Sequence, residues 1–165
     1  MRIDRIDEDD WAVFRELRLR SLLDEPDAYG STYGEESSQT ERSWRDWAAG
    51  RWRGGAAAVF LGRGADDMPT GTITVAEYEA EPGTAWIYAM WVAPDARRAG
   101  IGRDLIDAAA AWARDRGCAR LVLSVTETNA AARSFYEACG FAETGDRSPL
   151  RDRSDLAVLR LARAL

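Results

Sequence analysis

Arginine and glycine are concentrated in one short segment near the middle of the chain, Arg97 to Arg103, which reads RRAGIGR. The preceding Trp86–Val92 is rich in aromatic and β-branched residues and ends just before Pro94, which predicts a buried strand. A helical pattern follows up to Gly117. A glycine turn between strand and helix is typical of an anion site, because the first helical amides are unpaired and carry partial positive charge. The ligand that suits it best is a diphosphate-bearing cofactor, to which three arginines would add charge: Arg97, Arg98 and Arg103.

The composition excludes several other kinds of active site. Histidine is absent and all 22 basic residues are arginines, so neither a histidine nor a lysine can act as a base. A P-loop is excluded because it ends in Gly-Lys-Ser/Thr. A dinucleotide fingerprint is weak, since no third glycine follows Gly100 and Gly102. The two cysteines, Cys118 and Cys139, form no disulfide framework or zinc spacing and have no histidine to activate them, so we predict neither a metal site nor a covalent cysteine route.

Two motifs, in order, resemble the GNAT superfamily of acyl-CoA-dependent N-acyltransferases. Residues 97–102 match its Arg/Gln-x-x-Gly-x-Gly/Ala signature, and Val92-Ala93-Pro94 matches the Val-x-Pro that leads into it. Residues 129–141, NAAARSFYEACGF, match the later Asn-x-x-Ala-x-x-x-Tyr and Gly-Phe of the family. The resemblance is tightest over Thr84 to Phe141, and Leu22 to Thr32 is similar to a stretch of one GNAT branch. The two motifs stand in the order that they have in the family.

The resemblance implies a site for acetyl-CoA. Backbone groups of Met90 to Val92 would pair with the pantetheine arm, amides from Arg98 to Arg103 would hold the diphosphate, and Asn129 would contact the arm from the other side. The arginines can instead be a solvated basic patch, and Asn129 can be a helix cap. The expected cofactor-binding residues are Met90, Trp91, Val92, Arg97, Arg98, Ala99, Gly100, Ile101, Gly102, Arg103 and Asn129.

Acyl transfer from a thioester to an amine needs a neutral amine and a proton for the leaving thiolate. The resemblance places the acid at Tyr136, which can otherwise be a core residue of an amphipathic helix. The branch that acylates protein N-termini has a glutamate five positions before the motif asparagine, where this chain has Ser124. Other members of the family use a glutamate in the central strands, so the resemblance implies Glu77, near the end of the strand before Trp86, as the base. Glu79 and a water relay without a dedicated side chain are the alternatives.

The acceptor is the least determined part of the site. A net charge of −6 disfavours nucleic acid and slightly favours cationic small molecules or basic peptide ends, near acids such as Glu35, Glu36, Glu77 and Glu79. Candidate acceptor-binding residues are Tyr29, Ser31 and Tyr33, while Trp44, Trp47 and Trp52 can line a pocket or pack in a core. We expect an acetyl-CoA-dependent N-acetyltransferase acting on a primary amine of a small molecule or peptide. A protein N-terminal acetyltransferase and a non-catalytic acyl-CoA-binding sensor or partner module are the alternatives.

The length of 165 residues and the hydrophobic content of 46% predict one domain, residues 1–165. The patterns predict helices near 10–24, 41–49, 101–117 and 129–139, and strands near 2–6, 56–61, 70–78, 86–92, 120–125, 141–144 and 156–161. The expected fold is α/β (α+β), a mixed, largely antiparallel sheet of about seven strands with about four helices, as the GNAT resemblance also implies.

With no apolar run of about 18 residues and an acidic N-terminus, we expect a soluble, cytoplasmic protein without a membrane partner. Homodimers are common for such folds, and a monomer and a homodimer both stay open.

Overall fold

The computed structural model describes residues 1–165 and contains eight strands and five α-helices. The strands are β1 (Arg2–Arg5), β2 (Arg51–Trp52), β3 (Gly55–Arg63), β4 (Pro69–Glu77), β5 (Thr84–Val92), β6 (Arg120–Thr126), β7 (Ala142–Pro149) and β8 (Ala157–Ala164). The helices are α1 (Trp11–Asp24), α2 (Tyr33–Ser37), α3 (Glu41–Ala48), α4 (Ile101–Asp115) and α5 (Ala130–Ala138). None of these helices has the length and apolar character needed to cross a membrane.

The strands form one sheet in the order β1-β3-β4-β5-β6-β8-β7, with β2 paired to β3. Every pair is antiparallel except β5 with β6, so the predicted mixed, largely antiparallel sheet is confirmed, and β3, β4 and β5 form an antiparallel meander. The additional strand is the two-residue β2. The additional helix is α2, where a capping box between Thr32 and Glu35 stabilises a single turn that is too short to show periodicity in the sequence.

Strands β5 and β6 separate along most of their length. They pair only where Thr84–Trp86 lies beside Arg120–Val122, although β5 continues to Val92 and β6 to Thr126. The pairing of β4 with β5 shifts register between Thr72 and Thr74, and Ala89 of β5 has a φ of 50°, in the left-handed region. This bulge bends the second half of β5. The sheet therefore contains a gap between β5 and β6 that begins just before the bulge.

Each face of the sheet carries its own hydrophobic core. On one face α4 packs on β3 and β4, with Leu105 and Ile106 fully buried against Ile73 and Val75. On the other face α1 and α3 bury an aromatic cluster, in which the Phe14 ring meets the Trp47 ring edge-on at 5.0 Å and Trp44 stacks on Trp47 at 5.5 Å. Of the three tryptophans considered above, Trp44 is thus a core residue. The two cores hold the gap between them.

Two glycines allow the N-terminal turn of α4 to lie close to the sheet. Gly62 of β3 is paired with Gly71 of β4. A Cβ added at Gly62 would lie 2.5 Å from Cγ2 of Ile101, and one at Gly71 would lie 3.1 Å from Cδ1 of Leu105. Because Ile101 is β-branched and fully buried, it cannot move away easily. Small residues at this pair therefore set the position at which α4 begins.

We predict that Gly62→Ala lowers the free energy of unfolding by about 1 to 3 kcal/mol, because the added methyl group overpacks the contact with Ile101. Urea denaturation followed by circular dichroism measures this change. The matched control is Gly34→Ala in α2, where an added Cβ meets nothing within 4 Å and the helix propensity of alanine adds up to about 1 kcal/mol. Equal stability of the two variants would contradict the close seating of α4.

Candidate active site

A cavity of about 930 Å³ lies at the gap between β5 and β6. Its lining includes Gly102, Phe135 and Tyr136 from the face that carries α4 and α5. It also includes Tyr29 and Trp47, which belong to the core on the opposite face. The cavity therefore reaches both faces of the sheet, and two reactants can approach each other from opposite sides.

The end of the cavity at α4 presents a row of free amides. None of the backbone N–H groups of residues 98–103 donates a hydrogen bond within the chain, and the first to do so is Asp104, to the carbonyl of Gly100 at 3.1 Å. Gly100 has a φ of 94°, which only glycine adopts without strain. A Cβ at Gly102 would lie 3.0 Å from the Phe135 ring, in the wall of the cavity. This bare, positively polarised turn suits an anion with several oxygens, such as a diphosphate.

The three arginines of this segment have different surroundings. Arg97 donates from Nε to the carbonyl of Val92 at 2.9 Å and forms an ion pair with Asp24 at 3.0 Å. Arg103 donates to the carbonyl of Ala138 at 3.1 Å, at the end of α5. Arg98 is exposed, lines the cavity, and has neither a hydrogen-bond nor an ion-pair partner. The guanidinium of Arg97 thus fastens β5 to α1, which differs from the expected diphosphate contact, and Arg98 is the free cation at this end.

The backbone of β5 after the bulge borders the gap. The N–H of Ala93 donates to the carbonyl of Thr70 at 2.7 Å, toward β4. Because polar groups alternate along a strand, those of Val92 and Met90 point the other way, into the gap. Tyr29 donates to the carbonyl of Met90 at 3.0 Å, so that carbonyl has one lone pair left. All three expected arm residues of β5 line the cavity, and the indole of Trp91 is fixed by Asp24 at 3.0 Å.

Helix α5 brings Asn129 and Tyr136 to the cavity. Asn129 caps the helix, since its Oδ1 accepts from the N–H of Ala132 at 3.1 Å, and its side chain also lines the cavity. The Tyr136 ring packs edge-on against Phe141 at 5.9 Å, and its hydroxyl has no partner within the chain. Burial raises the pKa of this phenol well above its ordinary value of 10, and nearby Tyr29 contributes in the same direction. Tyr136 therefore stays protonated at neutral pH and can only donate its proton.

The three candidate acceptor-binding residues divide between two locations. Tyr29 is buried and lines the cavity together with Ser31. Tyr33 is 41% exposed and does not line it, so the expectation for this residue is wrong. Tyr33 is exposed because it is the first residue of α2, which the capping box starts at this point. The residue of α2 that faces the interior is Glu36.

The structure also corrects the expected base. Glu77 follows Ile73 and Val75 on the face of β4 that packs against α4, so it points toward the end of that helix and forms an ion pair with Arg116 at 2.7 Å. It does not line the cavity, and neither does the exposed Glu79. Ser124 does line it, but a serine hydroxyl beside no histidine is not a base.

Two carboxylates line the cavity: Glu25, which the sequence interpretation did not place in the site, and Glu36, one of the acids that it associated with a cationic acceptor. Glu25 forms an ion pair with Arg97 at 3.3 Å. Glu36 accepts two hydrogen bonds from Arg18, both at 2.8 Å, and both side chains are almost completely buried. The signal for this pair was present, because Arg18 lies on the apolar stripe of α1 between Phe14 and Leu22, where a charge needs a partner. No carboxylate that lines the cavity is free of an arginine.

Comparisons with known proteins agree with this architecture. A family model described as the acetyltransferase (GNAT) family matches residues 11–141. The aminoglycoside N(6')-acetyltransferase type 1 of Klebsiella aerogenes is 40% identical over 70 residues, 40% of this chain and 46% of that protein. The streptothricin acetyltransferase of Streptomyces lavendulae is 42% identical over 92 residues, 56% of this chain and 48% of that protein. These matches span about half the length of the relatives.

A solved structure extends the likeness to the whole fold. The GCN5-related N-acetyltransferase from Kribbella flavida superposes with a TM-score of 0.75 at 20% identity, covering 99% of this chain and 97% of that one. At this identity the likeness concerns the fold alone. The family match, in contrast, covers most of the chain and includes the glycine turn of α4 and the helix that carries Tyr136. The chain belongs to the acetyltransferase (GNAT) family.

Proposed function

We propose that this protein transfers an acetyl group from acetyl-CoA to the primary amine of a small molecule. The observation that carries the proposal is the shared cavity, in which the free amides of residues 98–103 and the unpartnered hydroxyl of Tyr136 meet. The curated relatives named above, an aminoglycoside acetyltransferase and a streptothricin acetyltransferase, support acetylation of small molecules. One end of the cavity would thus bind the donor, and the other would admit the amine.

The residues of the α4 end fit the donor. Acetyl-CoA carries a diphosphate, a pantetheine arm with amide groups, and a thioester that activates the acetyl group. The amides of residues 98–103 and the free guanidinium of Arg98 would hold the diphosphate. The backbone of Met90 and Val92 and the side-chain amide of Asn129 would flank the arm from β5 and α5. Gly102 leaves room beside Phe135 that any larger residue would reduce.

Tyr136 would supply the proton that the leaving group needs. In the proposed reaction the amine nitrogen forms a bond to the acetyl carbon, the carbon–sulfur bond breaks, and the phenolic proton passes to the sulfur. The amine loses its own proton, and since both carboxylates of the cavity are held by arginines, we assign that proton to water rather than to a side chain. The high pKa of Tyr136 restores the neutral phenol after each turnover.

Thiol release from acetyl-CoA in the presence of a panel of amines, together with calorimetric titration of coenzyme A, tests the proposal. We expect coenzyme A to bind and at least one amine to be acetylated. Arg98→Gln should weaken coenzyme A binding about 5- to 10-fold, because a charge-assisted hydrogen bond at an exposed site is lost. Arg42→Gln, which removes an exposed and unpaired charge on α3, should leave it unchanged. Binding without turnover on any amine would indicate a non-catalytic module, and failure to bind would overturn the proposal.

We predict that Tyr136→Phe lowers kcat about 100-fold, because one general acid contributes this much, while the KM for acetyl-CoA changes less than threefold. The raised pKa of the phenol also means that kcat of the wild-type enzyme does not decline between pH 7 and 10 through loss of this proton. Steady-state kinetics over this pH range measures both effects. A kcat of Tyr136→Phe within threefold of the wild-type value would contradict the acid role, and a descending limb near pH 8 that disappears in this variant would contradict the raised pKa.

The double variant Cys118→Ala, Cys139→Ala should retain nearly all of kcat, because transfer is direct. Burial raises the pKa of both thiols, which keeps them in the un-nucleophilic form. Acetylation rates of the double variant, corrected for the folded fraction from thermal melts, measure the effect. A hundredfold loss of kcat in folded protein would indicate a covalent cysteine step.

A further inference from the structure

The charged side chains of the cavity are mostly arginines. Five arginines and two glutamates line it, and both glutamates are ion-paired with arginines. Of the acids that the sequence interpretation associated with a cationic acceptor, only Glu36 lines the cavity, where it is bound by Arg18. Glu77 binds Arg116, and Glu35 caps α2 by accepting from the N–H of Thr32. The net charge of −6 is therefore not a property of the cavity. Its two unpartnered charges are both positive, Arg98 and Arg53.

Arg53 is held at the cavity wall by aromatic rings. It follows β2 with a φ of 52°, in the left-handed region, so the chain turns back at this point. Its guanidinium carbon lies 4.3 Å above the ring of Trp52 and 5.4 Å from the ring of Tyr88, and it forms no hydrogen bond or ion pair within the chain. Stacking restricts the guanidinium plane but leaves its N–H edges free, which is the arrangement that receives a carboxylate through two hydrogen bonds.

Arg53 and the free amides of α4 lie at opposite ends of the site. Tyr88, beside Arg53, precedes the bulge of β5, whereas Val92 follows it and leads to α4. At about 3.3 Å per residue, the two are more than about 10 Å apart along the strand. Trp52 stacks on Trp47 at 4.8 Å, within the core of α1 and α3, on the face opposite α4. Arg53 therefore faces the reactant that enters from the second side of the sheet, the acceptor in the proposed function.

We infer that the acceptor is a small amine that carries a carboxylate, and that Arg53 binds this carboxylate. The inference rests on the proposed function and specifies its substrate class. The rings of Trp52, Trp86 and Tyr88 would contact the apolar part of the acceptor, since all three line the cavity. A polycationic amine would meet the free guanidinium without any unpaired carboxylate to compensate, and like charges repel.

The test compares kcat/KM for matched acceptors, namely L-phenylalanine, L-lysine and β-alanine, each with its carboxamide. The carboxylate-to-carboxamide ratio should fall about tenfold in Arg53→Gln, and Arg53→Lys should keep part of the preference. The ratio should not change in Arg42→Gln, which removes the same charge outside the cavity. Comparing ratios between variants cancels the difference in amine pKa between acid and amide. The KM for acetyl-CoA should stay constant in all three variants, and thermal melts verify that they are folded.

The outcomes separate this inference from the proposed function. An unchanged ratio in Arg53→Gln, or turnover confined to amines without a carboxylate, overturns the inference and leaves the acetyltransferase activity standing. A rise in the KM for acetyl-CoA in Arg53→Gln also overturns it, because the residue would then belong to the donor end. Absence of thiol release with every amine overturns the proposed function and, with it, the substrate class inferred here.

Discussion

The separation of β5 from β6 is the constraint on which the rest of the site depends. A sheet that opens leaves backbone N–H and C=O groups without ladder partners, which is costly unless other groups bind them. The loop after α1 provides some of these hydrogen-bond partners. Tyr29 binds the carbonyl of Met90 on β5, and the carbonyl of Asp27 accepts from Thr126 on β6. Arg151 holds the same loop through the carbonyl of Tyr29 at 3.0 Å. The loop thus spans the gap and keeps it at a fixed width.

A buried ion pair between Arg18 and Glu36 packs against this loop and stabilises it. The guanidinium of Arg18 lies 4.3 Å from the ring of Tyr29, while its Nε and Nη2 donate to the two carboxylate oxygens of Glu36. Two buried charges are tolerated only with such geometry, and removal of either partner from a buried pair typically costs about 3 to 5 kcal/mol. Since Glu36 belongs to α2 and Arg18 to α1, the pair fixes the short helix against the long one. Tyr29 and Ser31 lie between these two attachments, which explains how a loop can form a rigid wall.

The glycine turn and the fold were predictable from local sequence patterns, whereas the positions of several side chains depend on contacts between residues far apart in the chain. The strand, glycine turn and helix of residues 86–115 are adjacent in sequence, so their pattern sufficed, and the family and fold expectations are confirmed. The fate of the Arg97 side chain depends on Asp24, 73 residues away, which no local pattern reveals. The assignment of Glu77 to the site was wrong because the direction of its side chain depends on the register of β4 and on the position of Arg116 at the end of α4. A local sequence pattern shows neither. Tyr33 lies outside the cavity because it begins α2, a single helical turn that is too short to show periodicity in the sequence.

The charged side chains of the cavity affect how an amine can be deprotonated without a dedicated base. The chain has no histidine or lysine, and the carboxylates of the cavity are neutralised by arginines. A positive charge near an ammonium group lowers its pKa, because it disfavours the charged form. In the proposed reaction, the unpaired charge of Arg53 near the acceptor would act in this direction, and the acceptor carboxylate that it binds would no longer stabilise the ammonium. A cavity that selects for an acidic acceptor would thereby also favour the neutral amine, which is the form that attacks the thioester.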